Sequence, residues 1–149
     1  MAKRILLPLD QSLTAEAVVP LVADAARGGG GAVRLLHVAP IPQALVNKEG
    51  RVVAFVDQEF ERLETEGLDY LRTIEAKLDG LPVECVVRFG DPLEEILREA
   101  EAFGADLIAV TTSGRSGISR VALGSVAEQV FRKAPVAVLL FHPPHWGVA

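Results

Sequence analysis

The sequence predicts a three-layer α/β domain, an open sheet of five mostly parallel strands with four helices over its faces. Three observations carry that prediction. Short continuous apolar runs alternate with longer stretches of helical periodicity, the pattern of buried parallel strands joined by crossover helices. Glycines, prolines and capping residues punctuate the changes of period. No shift in composition divides the chain, so its 149 residues read as one domain, 1–149, long enough for a sizeable core.

Each element has its own grounds. Ile5-Leu6-Leu7-Pro8-Leu9 is the first strand. A helix follows from about Ser12 to Arg27, with Leu13, Ala17, Leu21 and Ala25 on one face. Pro20 lies inside it and predicts a kink. Gly28 to Gly31 end it. Val33 to Val38 is the second strand. From Ala39 to Phe55, Pro40, Pro42, Asn47 and Gly50 predict a loop, with Val52-Val53-Ala54-Phe55 as a short ordered piece. A loop of this length is either functional, such as a lid, or a plain surface excursion. Asp57 to Asp79 is the clearest helix: Phe60, Leu63, Gly67, Tyr70, Leu71, Ile74 and Leu78 step by three and four. At 1.5 Å per residue it spans roughly 35 Å. Pro82 to Phe89 holds the third strand. Asp91 caps the next helix, with Pro92 at its first position and Glu94 and Glu95 in its first turn, and Gly104 ends it. Asp106 to Val110 is the fourth strand. A Gly/Ser/Arg loop leads to Gly124, a last helix spans about Val126 to Lys133, and Val136 to Phe141 is the fifth strand. Such a domain is Rossmann-like.

Composition narrows the function classes. The chain is 50% hydrophobic and 23% charged, which excludes a disordered tail. No apolar run reaches the ~18–20 residues of a membrane span. The Ile5–Leu9 run is too short for the ~7–15-residue core of a signal peptide. A cytoplasmic protein without membrane contact is expected. The single cysteine, Cys85, excludes an internal disulfide framework and a multi-cysteine zinc site. A net charge of −5 and a pI near 5.2 argue against nucleic-acid polymers as partners. An aromatic content of 5% argues against a base-stacking platform.

In an open parallel sheet, ligands bind beyond the carboxyl ends of the strands, where strand order switches. Asp10 follows the first strand. The fourth is followed by Thr111-Thr112-Ser113-Gly114-Arg115-Ser116-Gly117, the segment richest in binding groups. Its glycines let backbone N–H groups turn toward an anion, and Gly124-Ser125 at a helix start add partial positive charge. Hydroxyls at Thr111, Thr112, Ser113, Ser116 and Ser125 can donate to phosphate, and Arg115 and Arg120 can neutralise it. This chemistry suits a phosphate or nucleotide. Turn geometry accounts for Gly114, Gly117 and Gly124 as well, and Ser125-x-x-Glu128 is also a capping box. Asp10 reads either as a turn acid before Ser12 or as a contact to a sugar hydroxyl or a cation-bridged phosphate.

Four segments carry a resemblance. They are Lys3-Arg4-Ile5-Leu6-Leu7-Pro8-Leu9-Asp10; Leu35-Leu36-His37-Val38; Gly90-Asp91-Pro92 with Glu94-Glu95-Ile96; and Gly114-Arg115-Ser116-Gly117 through Gly124-Ser125-Val126-Ala127-Glu128 to Pro135-Val136-Ala137-Val138-Leu139. In them the chain resembles the universal stress protein family over nearly its whole length. The family's nucleotide motif is Gly, two residues, Gly, nine residues, then Gly-Ser or Gly-Thr. Here Gly114 is the second glycine, and Arg115 to Leu123 separate it from Gly124-Ser125. The first glycine is replaced by Thr111, whose Cβ restricts the backbone and crowds a ligand but whose hydroxyl can donate.

The resemblance implies an adenine-nucleotide site. Pro8, Leu9 and Asp10 would line adenine and ribose, and Val38 would flank the adenine. Val110, Thr111, Ser113 and Gly114 would pass the sugar and phosphates, and Gly124, Ser125 and Val126 would offer donors to the phosphates. Ala127 stands where some ATP-binding relatives carry a hydroxyl. The implied ligand is ATP, or ADP or AMP, with Mg²⁺ accompanying the phosphates. The resemblance also implies a homodimer formed through the strand at 136–141, whose apolar edge needs covering.

Other signals are weaker. There is no P-loop run, and Gly28 to Gly31 follow a helix, not a strand, so they are not a dinucleotide fingerprint. A receiver domain would need an acid pair after the first strand and a lysine after the fifth, where Asp10-Gln11 and His142 stand. No nucleophile set is visible. Two histidines beside prolines, His142 and His145, are a poor metal site. His37 reads as a residue packed or bonded near the sheet end, and Cys85 as an inert buried thiol. The expected function is a regulatory or protective homodimer that binds ATP or a related adenine nucleotide and at most hydrolyses it slowly. The alternatives are a dimeric interaction module whose site is empty or takes AMP and, less well supported, a hydrolase using Asp10.

Overall fold

The computed structural model describes residues 3–43, 45–46, 48–112 and 120–143; for 45–46, 52–54 and 120–125 it gives the backbone course alone. In chain order the elements are β1 (Arg4–Pro8), α1 (Leu13–Glu16), α2 (Val19–Gly29), β2 (Ala32–Ala39), β3 (Leu45–Val46), β4 (Val52–Ala54), α3 (Val56–Glu75), β5 (Val83–Phe89), α4 (Pro92–Phe103), β6 (Leu107–Thr111), α5 (Arg120–Lys133) and β7 (Ala137–Phe141). Five strands form one sheet in the order β5-β2-β1-β6-β7, and every pair in it is parallel. β3 and β4 pair antiparallel as a separate ribbon, the ordered piece within the loop expected over 39–55.

Alternate residues of each strand face opposite layers. Ile5, Leu7, Val33, Leu35 and Val87 pack with Val22, Ala26, Leu71 and Ile74 on the α2/α3 side. Leu6, Leu36, Ile108 and Val110 pack with Ile96, Ala100, Phe103 and Val130 on the α4/α5 side. The continuous apolar runs of the sequence are therefore strands buried on both faces.

All four helical stretches are present, with three changes, the smallest being that α3 ends at Glu75 and not at Asp79, residues 76–79 forming turns. The stretch expected to kink at Pro20 is divided, α1 ending at Glu16 and α2 starting at Val19. The pyrrolidine ring would meet the carbonyl of residue 16 in a continuous helix and supplies no N–H. In the first turn of α2, where N–H groups lack helical partners anyway, it is harmless. The last helix begins at Arg120 and not at Val126, so Gly124 and Ser125 lie within its course and Ser125 is not its first residue. Val121, Ala122 and Leu123 continue the helical run, at the ~1 kcal/mol that an interior glycine costs. The caps of α4 are as expected: the Asp91 carboxylate accepts from the Glu94 N–H at 3.0 Å, and Gly104 closes the helix at φ 69°.

Candidate functional site

From β1 the chain steps outward to β2 and β5, then returns to β6 on the other side of β1 and ends at β7. The order reverses between β1 and β6, so the crevice for a ligand lies beyond their carboxyl ends. Pro8, Leu9 and Asp10 leave β1 there, and Val110, Thr111 and Thr112 leave β6. The sequence-predicted residues on these two strands are brought to one place by the parallel register, in which Leu6 stands opposite Ile108, two residues before Pro8 and Val110.

The predicted apolar contacts divide between the layers. Val38 and Val126 pack against the cluster that buries Val110, on the α4/α5 side. Leu9 is buried in the opposite cluster. Asp10 does what a turn acid does: its Oδ1 accepts from the Ser12 N–H at 3.0 Å. Ser12 caps α1, its Oγ accepting from the Ala15 N–H at 3.0 Å. Thr111 sends its hydroxyl toward the Ala15 carbonyl at 3.4 Å. The backbone of Gly124 and Ser125 runs in α5. Ser113 and Gly114, with the rest of 113–119, lie outside the described residues.

Three residues near the site had no role in the sequence reading. Gln11 adopts φ 70°, a left-handed backbone unusual for a residue with a side chain. Its amide lies 3.4 Å from His37 Nε2. Tyr70, on α3, donates its hydroxyl to Glu16 Oε2 at 2.9 Å. Burial first, then this bond, pushes the Tyr70 hydroxyl above the ordinary tyrosine range, so it stays a donor. Glu16, the last residue of α1, also takes Lys77 Nζ at 3.5 Å. The short α1 is thus fastened by side chains from α3 and β6. Only Tyr70 had a signal in the sequence, as a core position of its helix, and that pattern says nothing of its hydroxyl.

His37 is bonded near the sheet end, as expected. Thr112 Oγ1 lies 2.8 Å from His142 Nδ1, and His145 is outside the described residues. Among the described residues no group of three or more His, Cys, Asp or Glu side chains converges as a metal site, and no helix is long and apolar enough to cross a membrane.

The profile of the universal stress protein family matches residues 1–142. The chain belongs to that family. Universal stress protein MJ0577 of Methanocaldococcus jannaschii is 30% identical over 155 residues, covering 94% of each chain. Its solved structure superposes with a TM-score of 0.80 over 96% of this chain and 97% of that one. Universal stress protein G of Shigella flexneri is 32% identical over 145 residues, 94% of this chain and 99% of that protein. Universal stress protein MJ0531 of M. jannaschii is 36% identical over a stretch that spans about half, 51%, of its length. Two more distant members share the fold. A universal stress protein in complex with cAMP has a TM-score of 0.64 at 18% identity over 95% of this chain and 97% of its own. An Arabidopsis thaliana member with AMP bound has a TM-score of 0.65 at 16% identity over 96% and 93%.

Proposed function

We propose that this universal stress protein binds an adenine nucleotide, ATP or its relatives ADP and AMP, in the crevice between β1 and β6, and works in the cytoplasm as a regulatory homodimer. One observation carries the reading. The strand order reverses where Pro8-Leu9-Asp10 and Val110-Thr111 end their strands, ahead of the segment that holds Gly114 and Gly124-Ser125. Family members with bound AMP and cAMP support the same ligand class. In this reading Val38 flanks the adenine, Leu9 and Asp10 meet adenine and ribose, and Thr111, Ser113 and Gly114 pass the sugar and phosphates. The phosphates lie against α5 at Gly124, which has no side chain to crowd them, and at Ser125, whose hydroxyl donates, with Mg²⁺ as their counter-ion; the N–H groups of Gly124, Ser125 and Val126, past the first turn of α5, bond within the helix and are not the donors. With no general base assigned, any hydrolysis is slow. The dimer forms through β7, which among the described residues is an edge strand paired with β6 alone and leaves Leu140 exposed.

Calorimetric titration of nucleotide-free protein with ATP, ADP and AMP, each with and without Mg²⁺, tests the site. Binding that weakens about tenfold or more in Gly124→Phe supports it. Absence of binding to all three overturns it, and unchanged ATP binding by Gly124→Phe removes the phosphate assignment. Leu140→Asp is expected to give monomers in sedimentation. A second reading, a site for AMP without a phosphate chain, is favoured by Thr111, whose Cβ stands where the motif has glycine and whose hydroxyl turns toward α1. AMP binding without ATP binding would select it.

A further inference from the structure

His37 sits on β2, buried on the α2/α3 side, and touches the β1–α1 turn at two points. Its Nδ1 lies 2.9 Å from the Leu9 carbonyl oxygen. A carbonyl only accepts, so Nδ1 carries the proton and donates. In the neutral ring Nε2 then has the free lone pair and accepts from the Gln11 side-chain amide at 3.4 Å. These bonds bracket Asp10. Between them the chain turns through Gln11 at φ 70°, a conformation that is strained for a residue with a Cβ unless its surroundings hold it. The ring is itself fixed. Tyr70 meets it edge-on at 6.5 Å between centroids, and the bare Cα of Gly67 lets α3 close over it, since a Cβ there would lie 3.2 Å from His37 Cδ2.

We propose that His37 is a positioning residue of the nucleotide site: through its bonds to Leu9 and Gln11 it holds the left-handed turn that presents Asp10 to the ligand. The proposal rests on the nucleotide reading above and deepens it. His37 itself need not touch the ligand.

The turn's conformation supplies the test. Glycine takes φ 70° without strain, so Gln11→Gly removes the need for a latch. Nucleotide affinity is measured by titration for wild type, His37→Phe, Gln11→Gly and the double variant, using whichever of ATP or AMP the wild type binds. His37→Phe keeps a ring against Gly67 and Tyr70 and deletes both nitrogens. It is expected to weaken binding about tenfold. In the Gln11→Gly background the same change is expected to cost less than about twofold. A merely structural histidine would lose the same factor in both backgrounds, and that result overturns the proposal. So does wild-type affinity in His37→Phe. Should His37→Phe not fold, His37→Leu, which likewise deletes both nitrogens, takes its place with the same expectations. Imidazole ¹⁵N spectra of the wild type are expected to show the neutral ring protonated at Nδ1, and protonation at Nε2 overturns the latch. If the wild type binds no nucleotide, the functional reading fails and the proposal with it. If the wild type binds and His37→Phe is indifferent, the proposal alone fails.

Discussion

On the face covered by α2 and α3, the sheet presents an apolar surface as far as His37 near its carboxyl end, and Leu35, Val33 and Leu71 are wholly buried. The face covered by α4 and α5 is apolar at its centre but buries charge toward the β5 edge. There Glu99, with 4% of its side chain exposed, takes Arg34 Nη1 at 2.8 Å on one oxygen and Arg88 Nε at 2.7 Å on the other. Arg34 also reaches Glu84 at 3.1 Å, and its guanidinium carbon stands 4.4 Å from the Phe103 ring centroid. Arg34 Nε is buried without a hydrogen-bond partner among the described residues. Apolar packing loses stability in proportion to the volume removed. A buried ion pair fails abruptly, because removing one partner leaves the other desolvated and uncompensated. The two faces should therefore answer substitution differently.

No effect is expected to exceed that at Glu99. Glu99→Leu leaves the part-buried Arg34 with only the exposed Glu84 as counter-ion among the described residues and should cost about 3 kcal/mol in urea unfolding. Arg34→Met combined with Glu99→Leu removes both charges and should recover most of that loss, since apolar replacement of a buried pair is often neutral or better. A double variant no more stable than Glu99→Leu would show that packing around Phe103, and not charge, closes this face.

The apolar face should respond by degrees. Leu35→Ala is expected to cost about 3 kcal/mol and Ile74→Val about 1 kcal/mol, both read as shifts of the urea midpoint at constant slope. Equal losses for the two would break the comparison, because they would mean that this face too fails as a unit.

The same contrast explains what was legible in the sequence. Strands buried on both faces write themselves as apolar runs, so β1, β2, β6 and β7 were found within a residue or two. Caps carry local signatures, hence Asp91 and Gly104. The switch point followed from strand order, and Pro8, Leu9, Asp10, Val110 and Thr111 lie there. Contacts distant in sequence left no trace. Nothing in the local sequence pairs Arg34 with Glu99, and the bonds of His37 to Leu9 and Gln11 and of Tyr70 to Glu16 exist only once four elements are packed. The start of α5 departs from the prediction for another reason: Gly124 and Ser125 carry strong turn and capping signals, and a run of helix formers before them outweighs both.

The smallest effect is expected where the apolar face reaches solvent, at Cys85 on edge strand β5. It is half-buried, not enclosed, packs against the α2/α3 cluster, and points its thiol at Glu75 Oε1, 3.4 Å away. Burial first, then the bond to this carboxylate, pushes the thiol from its ordinary 9.0 up to about 11. A raised folded-state value means that the native state holds the proton more tightly than the unfolded chain. The stabilisation is therefore complete below about pH 9 and is lost as pH rises through about 11. Urea midpoints should fall over that interval in wild type and fall less in Cys85→Ala, while Tyr70, raised further, contributes equally to both. Alkylation by iodoacetamide should inflect near pH 11. An inflection near 9 would mean that the thiol sits in water, and that the apolar face ends inside β5 and not at it.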